Sequence, residues 1–479
     1  MVAGWACYTM RPASDVSPPW PSPLHPEFRQ DLADIPILED AGSVRMRSRD
    51  FFWFSPILKE ALEDKRADMV AVPRDKADVM RIAAACARHR VPLTVRGGGT
   101  GNYGQAVPLA GGVVLDMGKL DQVIWHKAGA GRFAAGARML DIDRALAPAG
   151  HELRFYPSTR QHATIGGFVA GGAAGAGSCT WGQISDPGAV LAVEVVTVED
   201  QPRVIELTGR DVLKVMHAYG VNGIITEVEV PLAPSHPWCE RIATFPSLSA
   251  AARCAQTFTE CDGIAKKLVT VHDPQVVRYL RRLATYAEPG HAMAIVMVSE
   301  PQADAFELIV ADHGGCVTFR RTAEDARKAA FAETSGLQPL YEFTWNHTTL
   351  HAIRIDPTIT YLQLRFPPAN NLELVDWVAA QFHGEVLLHL EFQRRFGKVT
   401  CSSLPLVRYT TPQRLDEIMA ELNAEGVAVS NPHTFVLDDA GWKRVDAPQA
   451  EFKRMADPYG LMNPGKLAHW QAQDTRQLA

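Results

Sequence analysis

The chain has 479 residues, 47% hydrophobic and 21% charged, with a net charge of −6. That length suits two or three domains with buried cores, and the negative balance argues against nucleic-acid binding. No apolar run approaches the ~18 residues of a membrane span, no basic-then-apolar leader is present, and the eight cysteines form no C-x-x-C pair, so the expected setting is cytoplasmic with reduced thiols.

Residues 1–64 read as an N-terminal extension. Its run Pro18-Pro19-Trp20-Pro21-Ser22-Pro23 is extended, polyproline-like chain suited to wrapping the body or docking a partner. Phe51-Phe52-Trp53-Phe54 is an aromatic patch suited to core packing. The pattern sharpens from residue 65. Residues 70–72 form a short strand, Asp75 caps a helix of about fifteen residues, and residues 91–96 form a second strand. That strand runs into Arg96-Gly97-Gly98-Gly99-Thr100-Gly101-Asn102-Tyr103-Gly104, where five glycines fall within eight residues. Bare backbone N–H groups beside one arginine describe a cradle for an anion, most plausibly a pyrophosphate.

Residues 99–104 satisfy G-x-G-x-x-G, but a Rossmann unit needs a helix to open there. Pro108, Gly111 and Gly112 argue against one, and residues 113–116 read as another strand. Further strands are expected near 122–125 and 132–134, and a helix over 139–149. A second small-residue stretch follows, from Pro157-Ser158-Thr159-Arg160 through Ala163-Thr164-Ile165-Gly166-Gly167 to Ser178. So many glycines and alanines make a poor isolated helix and suit backbone lying against a large flat ligand. Residues 186–197 read as a buried strand, and Gly223-Ile224-Ile225-Thr226 leads into another.

These segments, with the terminal Asn463-Pro464-Gly465-Lys466, resemble the vanillyl-alcohol-oxidase, or p-cresol-methylhydroxylase (PCMH)-type, FAD-linked oxidoreductases. The resemblance implies an α+β fold, a two-subdomain PCMH-type FAD-binding module over 65–235 with an inserted cap of antiparallel sheet plus helices over 236–430. Residues 431–479 would return to the FAD module. It also implies that Arg96, Gly97, Gly98, Gly99, Thr100, Gly101 and Asn102 meet the FAD pyrophosphate. Pro157, Ser158, Thr159, Thr164, Gly166 and Gly167 would line the flavin and its phosphate tail. Gly223, Ile224 and Ile225 would bind the adenine side, with Asn463 and Lys466 closing over the cofactor. Some members tether FAD through a histidine where this chain has Thr100, so non-covalent FAD is expected at the loop.

The cap offers the polar candidates. His347 and His351 stand at i, i+4, a spacing that two ligands alone do not turn into a metal site. Residues 358–366 alternate as one strand, which puts Tyr361, Gln363 and Arg365 on one face, with Arg365 suited to a substrate carboxylate. Residues 385–392 alternate too, pairing His389 with Glu391 for proton handling. Towards the C-terminus the order of elements also resembles the branch that oxidises D-2-hydroxy acids. There His433 matches the histidine that takes the hydroxyl proton. Pro432 stands where that branch has a metal-binding Glu, and no metal is expected.

The leading expectation is hydride transfer from a small hydroxylated substrate, such as a 2-hydroxy acid, to flavin N5. Tyr341, Tyr361 and Trp345 keep open a phenol or aromatic-alcohol oxidase or methylhydroxylase. The proline-rich N-terminus keeps open a flavin subunit of an electron-transfer complex. A redox partner (cytochrome, quinone or oxygen) and a homodimer stay open as well.

Overall fold

The computed structural model describes residues 25–333, 335–441 and 445–468. The proline-rich run and Cys7 lie outside the described residues. Among the described residues the strands form four sheets, of four, six, eight and three strands.

The first sheet holds Ile37–Leu38, Met69–Ala71, Val113–Asp116 and Leu93–Arg96, in that order. Lys76–His89 lies between the second and fourth of these in sequence, with Asp75 Oδ1 accepting from Asp78 N at 2.9 Å as its N-cap. Its buried face, with Val79, Ile82, Ala83 and Cys86, packs on Leu93, Val113 and Leu115. Leu93–Arg96 and Val113–Asp116 are parallel neighbours, yet residues 97–112 between them contain no helix. The Rossmann geometry is therefore absent. The second sheet is built on the long strand Ile224–Pro234, which pairs with Ala130–Ala134, Ala192–Val196 and His151–Leu153. Of the small-residue stretch, Ile165–Gly171 does form a helix, capped by Thr164 and ended by Gly172 at φ +62°.

Eight strands form the large sheet, and every neighbouring pair is antiparallel. Alternation divides its two faces. Leu364, Leu390, Phe392, Cys401, Val269 and Val271 face the helices Leu248–Glu260, Asn371–Gln381 and Pro412–Ala424 and form one apolar core with them. The opposite face carries Arg365, Ser402, Glu391 and Thr270, aligned residue by residue across four strands.

The two expected cap strands are each divided. The span 358–366 is Ile359–Tyr361 and Gln363–Arg365, in two different sheets. Residues 385–392 divide in the same way, as does 399–408, a further segment that the sequence pattern gives as one strand, so a three-stranded sheet of Ile359–Tyr361, Leu406–Arg408 and Val386–Leu387 sits beside the large one. Tyr361 therefore does not share a strand with Gln363 and Arg365. The cause is tertiary: Leu362 is drawn into the apolar core of the large sheet, while Tyr361 packs with Phe54 and Leu404.

The turn at 157–163 is held from both sides. Met139 N donates to Ala163 O at 3.0 Å, and Asp143 of the helix Met139–Leu146 accepts from Leu153 N at 2.7 Å and from the guanidinium of Arg160. Asp143 and Arg160 are both buried. Asp143→Ala leaves Arg160 without its counter-charge, and a loss of about 3–5 kcal/mol is expected in urea unfolding.

Candidate active site

The cavity has a volume of about 390 Å³. One wall is the glycine loop, from Gly97 to Asn102, interlocked with the turn and helix that carry Pro157, Ser158, Thr159, Thr164, Gly166 and Gly167. The interlock explains why the residues are small. A Cβ on Gly98 would lie 2.1 Å from His162 O, and one on Gly97 would lie 2.2 Å from Thr164 Oγ1. Gly99 has φ +63° and sits under the guanidinium of Arg96, whose Nη1 is buried with no hydrogen-bond partner among the described residues.

Gly223 and Ile225 reach the cavity, whereas Ile224 lies in the core behind it. Asn463 and Lys466 act from behind the loop. Asn463 Nδ2 donates to Gln105 O at 2.7 Å and to Tyr219 O at 2.6 Å, and Lys466 Nζ donates to Gly104 O at 2.6 Å. Asn463 N also donates to Leu93 O at 2.8 Å. The C-terminal segment thus fixes the loop by its backbone. Burial pulls the Lys466 ammonium down to about 7 and pushes Asp50 up to about 6, while the attraction between the two opposes both shifts. Asp50 lines the cavity and accepts from Phe52 N and Ala106 N.

The large sheet and the segment before it supply the facing wall. Trp345, Asn346, His347 and Leu350 line it, together with Gln363, Arg365, Gln393, Arg395 and Ser402. Asn346–Ile353 is helical, as the His347/His351 spacing anticipates. The two histidines separate in role. His347 meets the cavity, while His351 stacks on Phe343 and donates from Nε2 to Glu342 O at 3.1 Å. Burial, then the nearby His351, holds the His347 imidazole down to about 4.

The turn entering this helix is strained. Trp345 has φ +49°, which costs of order 1–3 kcal/mol for a bulky residue. Its N–H is held by Glu391 Oε1 at 2.6 Å. Glu391 also accepts from Thr270 Oγ1 at 2.6 Å and lies 2.7 Å from His389 Nε2. Burial pushes Glu391 up to about 8 and His389 down to about 3, so both favour their uncharged forms.

Three of the catalytic candidates stand outside the cavity lining, as does Arg96 of the glycine loop. His389 is fully buried behind it, stacked on His272 with ring centroids 4.7 Å apart. Tyr361 is buried beside Phe54. His433 is buried with both ring nitrogens engaged. Nε2 donates to Tyr361 O at 2.9 Å, and Ser55 donates to Nδ1 at 2.7 Å. Burial lowers this ring to about 4. Among the described residues no three His, Cys, Asp or Glu side chains converge as metal ligands.

Sequence reasoning passed over Asn346, Gln393, Ser402 and Arg395. The last had a readable signal, because His389, Glu391, Gln393 and Arg395 continue one alternation to the strand end at Arg395. Placing that end at residue 392 concealed it.

Residues 67–204 match the family described as an FAD binding domain. Over 445 residues the chain is 24% identical to the glycolate oxidase subunit GlcD of Bacillus subtilis (strain 168), covering 84% of this chain and 88% of that protein. A stretch of 151 residues is 36% identical to D-2-hydroxyglutarate dehydrogenase of Escherichia coli (strain K12), covering 29% of this chain and 14% of that protein. A solved structure of alkyldihydroxyacetonephosphate synthase superimposes with a TM-score of 0.69 at 16% identity, over 93% of this chain and 86% of that one, a likeness of fold alone. The resemblance to the PCMH-type flavoproteins is thus borne out, and the chain carries an FAD-binding domain.

The residues fit that cofactor. Arg96 Nη1, both amide atoms of Asn346, Trp345 Nε1 and Arg365 Nε are buried polar atoms without partners among the described residues. Such groups cost free energy unless a ligand satisfies them. The glycine cradle meets them from the other wall. Gly98→Ala forces backbone against backbone, so flavin absorbance per protein is expected to fall with far-UV circular dichroism retained. Gly263→Ala, with open space around the added Cβ, is expected to keep its flavin.

Proposed function

We propose that this FAD-binding chain oxidises a small 2-hydroxy acid or related hydroxylated substrate, with His347 as proton acceptor and Arg365 as anchor for the substrate's anionic group. Residues 65–235 are taken as the FAD module, 236–430 as the cap, and 431–479 as the segment returning to the module. The observation that carries the reading is convergence. His347 and Arg365 line the same cavity as the glycine loop. The hydroxy acids named by the glycolate oxidase and D-2-hydroxyglutarate dehydrogenase relatives supply the substrate class.

When bound, the isoalloxazine of FAD supplies the hydride acceptor at N5. The chain supplies the rest. Arg365 keeps Nε buried and unpartnered, with one long bond of 3.4 Å from Nη2 to Gly441 O, so its fork is available to a carboxylate. His347 is an unprotonated imidazole at neutral pH and accepts the hydroxyl proton as the C–H bond breaks. Trp345 and Asn346 precede it on the same wall. His433, His389 and Tyr361 serve as supports. His433 joins the strand at Tyr361 to the N-terminal part at Ser55, and His389 steadies Glu391.

Glycolate oxidase GlcD is named as a subunit, and this supports a redox partner as part of the proposal. The free cysteines Cys86, Cys179, Cys239, Cys254, Cys261, Cys316 and Cys401 support a reducing, cytoplasmic setting. No helix among the described residues is long and apolar enough to cross a membrane.

His347→Gln is expected to slow anaerobic flavin reduction by about a hundred- to ten-thousandfold with flavin content unchanged. His433→Ala, where it folds, is expected to reduce its flavin within a few-fold of the parent. Equal loss in both variants would remove His347 as the acceptor. The pH profile carries a second signature. Because burial depresses the ring, its unprotonated form persists as pH falls through the ordinary 6.5, and the acid limb is expected near 4. With Thr100 at the tether position, acid precipitation is expected to leave the flavin in the supernatant.

A further inference from the structure

The cap wall carries two arginines, Arg365 and Arg395, on the polar face of the large sheet. Arg365 lies opposite Ser402, and Ser402 lies opposite Glu391 on the strand that ends at Arg395. Among the described residues neither arginine forms an ion pair. The contrast within the hairpin is direct, because Arg394 turns away and pairs with Asp262. Arg395 has an adjacent chain position, the same charge and no acid. Among the described residues the only carboxylate on the cavity lining is Asp50, which sits at the glycine-loop end and is drawn to Lys466.

The side chains near the arginines are oriented as donors. Gln183 Nε2 donates to Gln393 Oε1 at 2.7 Å, and Gln393 Nε2 donates to Ser402 Oγ. Ser402 therefore accepts from Gln393 and keeps its own hydroxyl hydrogen for another acceptor. Arg365 is desolvated, and the charge of Arg395 adds repulsion to that cost. Two like charges brought together without a carboxylate are costly until an anion arrives. A single carboxylate neutralises one of them and leaves the other.

We propose that Arg365 and Arg395 form a two-anion cradle, so that the oxidised substrate is a 2-hydroxy acid bearing a second carboxylate or a phosphate. Arg365 takes the carboxylate next to the reacting carbon, and Arg395, nearer the hairpin tip, takes the distal group. This rests on the hydroxy-acid reading of the same cavity. Charge-assisted bonds to a guanidinium discriminate strongly against a partner that lacks the anion.

The test uses the flavin-loaded protein. Half-saturating concentrations for anaerobic flavin reduction are compared for D-lactate, D-malate, D-2-hydroxyglutarate and D-3-phosphoglycerate. The second anion is expected to lower that concentration by about ten- to a hundredfold. The diacids and the phosphorylated acid distinguish carboxylate from phosphate. Arg395→Gln is expected to collapse the preference towards one, and Arg395→Lys to keep part of it. Equal half-saturation by D-lactate and the dianions, or loss of flavin from Arg395→Gln with an unchanged preference, overturns the proposal. A second measurement stands apart from turnover. Glutarate and butyrate, which have no hydroxyl to oxidise, are titrated against the flavin absorbance. Tighter glutarate binding that depends on Arg395 supports the cradle even if no hydroxy acid reduces the flavin, an outcome that would sink only the oxidation reading. Equal binding of the two overturns the cradle.

Discussion

Glu391 is the contact on which the cavity wall facing the glycine loop depends. It is fully buried, and it accepts from Thr270 on the neighbouring strand and from the backbone of Trp345. That second bond holds a bulky residue at φ +49°, a conformation that survives only when its surroundings over-determine it. Releasing the Trp345 turn would move Trp345, Asn346 and His347 together, because they are consecutive residues on one cavity wall. Glu391 does not line the cavity and bears on it only through what it positions. His389 and His272, stacked beneath it, fill the space that water would otherwise take, and each leaves one ring nitrogen unpartnered.

The same sheet explains why the polar groups collect where they do. One face of each strand is committed to the helices, so alternation sends every second residue to the opposite, polar face, part of which meets the cavity. Leu390 and Phe392 go one way, and Glu391 and Gln393 the other. A shift of one residue in register would bury the arginines against helices and present leucines to the substrate. Specificity of the fold and specificity of the site are therefore set by one pattern.

Much of this was legible from the sequence where the signal is local. The strand before the glycine loop, the Asp75-capped helix and the strand at Val113–Asp116 follow from periodicity and capping. Pro108 and the glycines correctly removed the helix that the spacing seemed to promise. In sequence the glycines suit a backbone that makes room for a ligand. The structure adds a second reason, since Gly97 and Gly98 make room for the neighbouring turn. Legibility ended where distant contacts decide. Nothing local in Thr360-Tyr361-Leu362-Gln363 announces a change of sheet, and the partner that fixes His433, Ser55, stands 378 residues away in sequence. Motif position points to His433, and the contacts that engage both of its ring nitrogens are out of reach of any local reading.

The low proton affinity of His347 fits the charge of the cavity around it. An imidazole held at about 4 by burial stays uncharged beside guanidinium groups, and it would be a weak acceptor if nothing else changed. A bound anion changes it. On the proposed reading, a carboxylate on Arg365 cancels positive charge in the same low-dielectric space and raises the ring's proton affinity when the hydroxyl is in place. An uncharged alcohol brings no such compensation. The cavity would then bind it less tightly and also leave the acceptor weak. Charge on the substrate thus serves recognition and proton transfer through the same arginine.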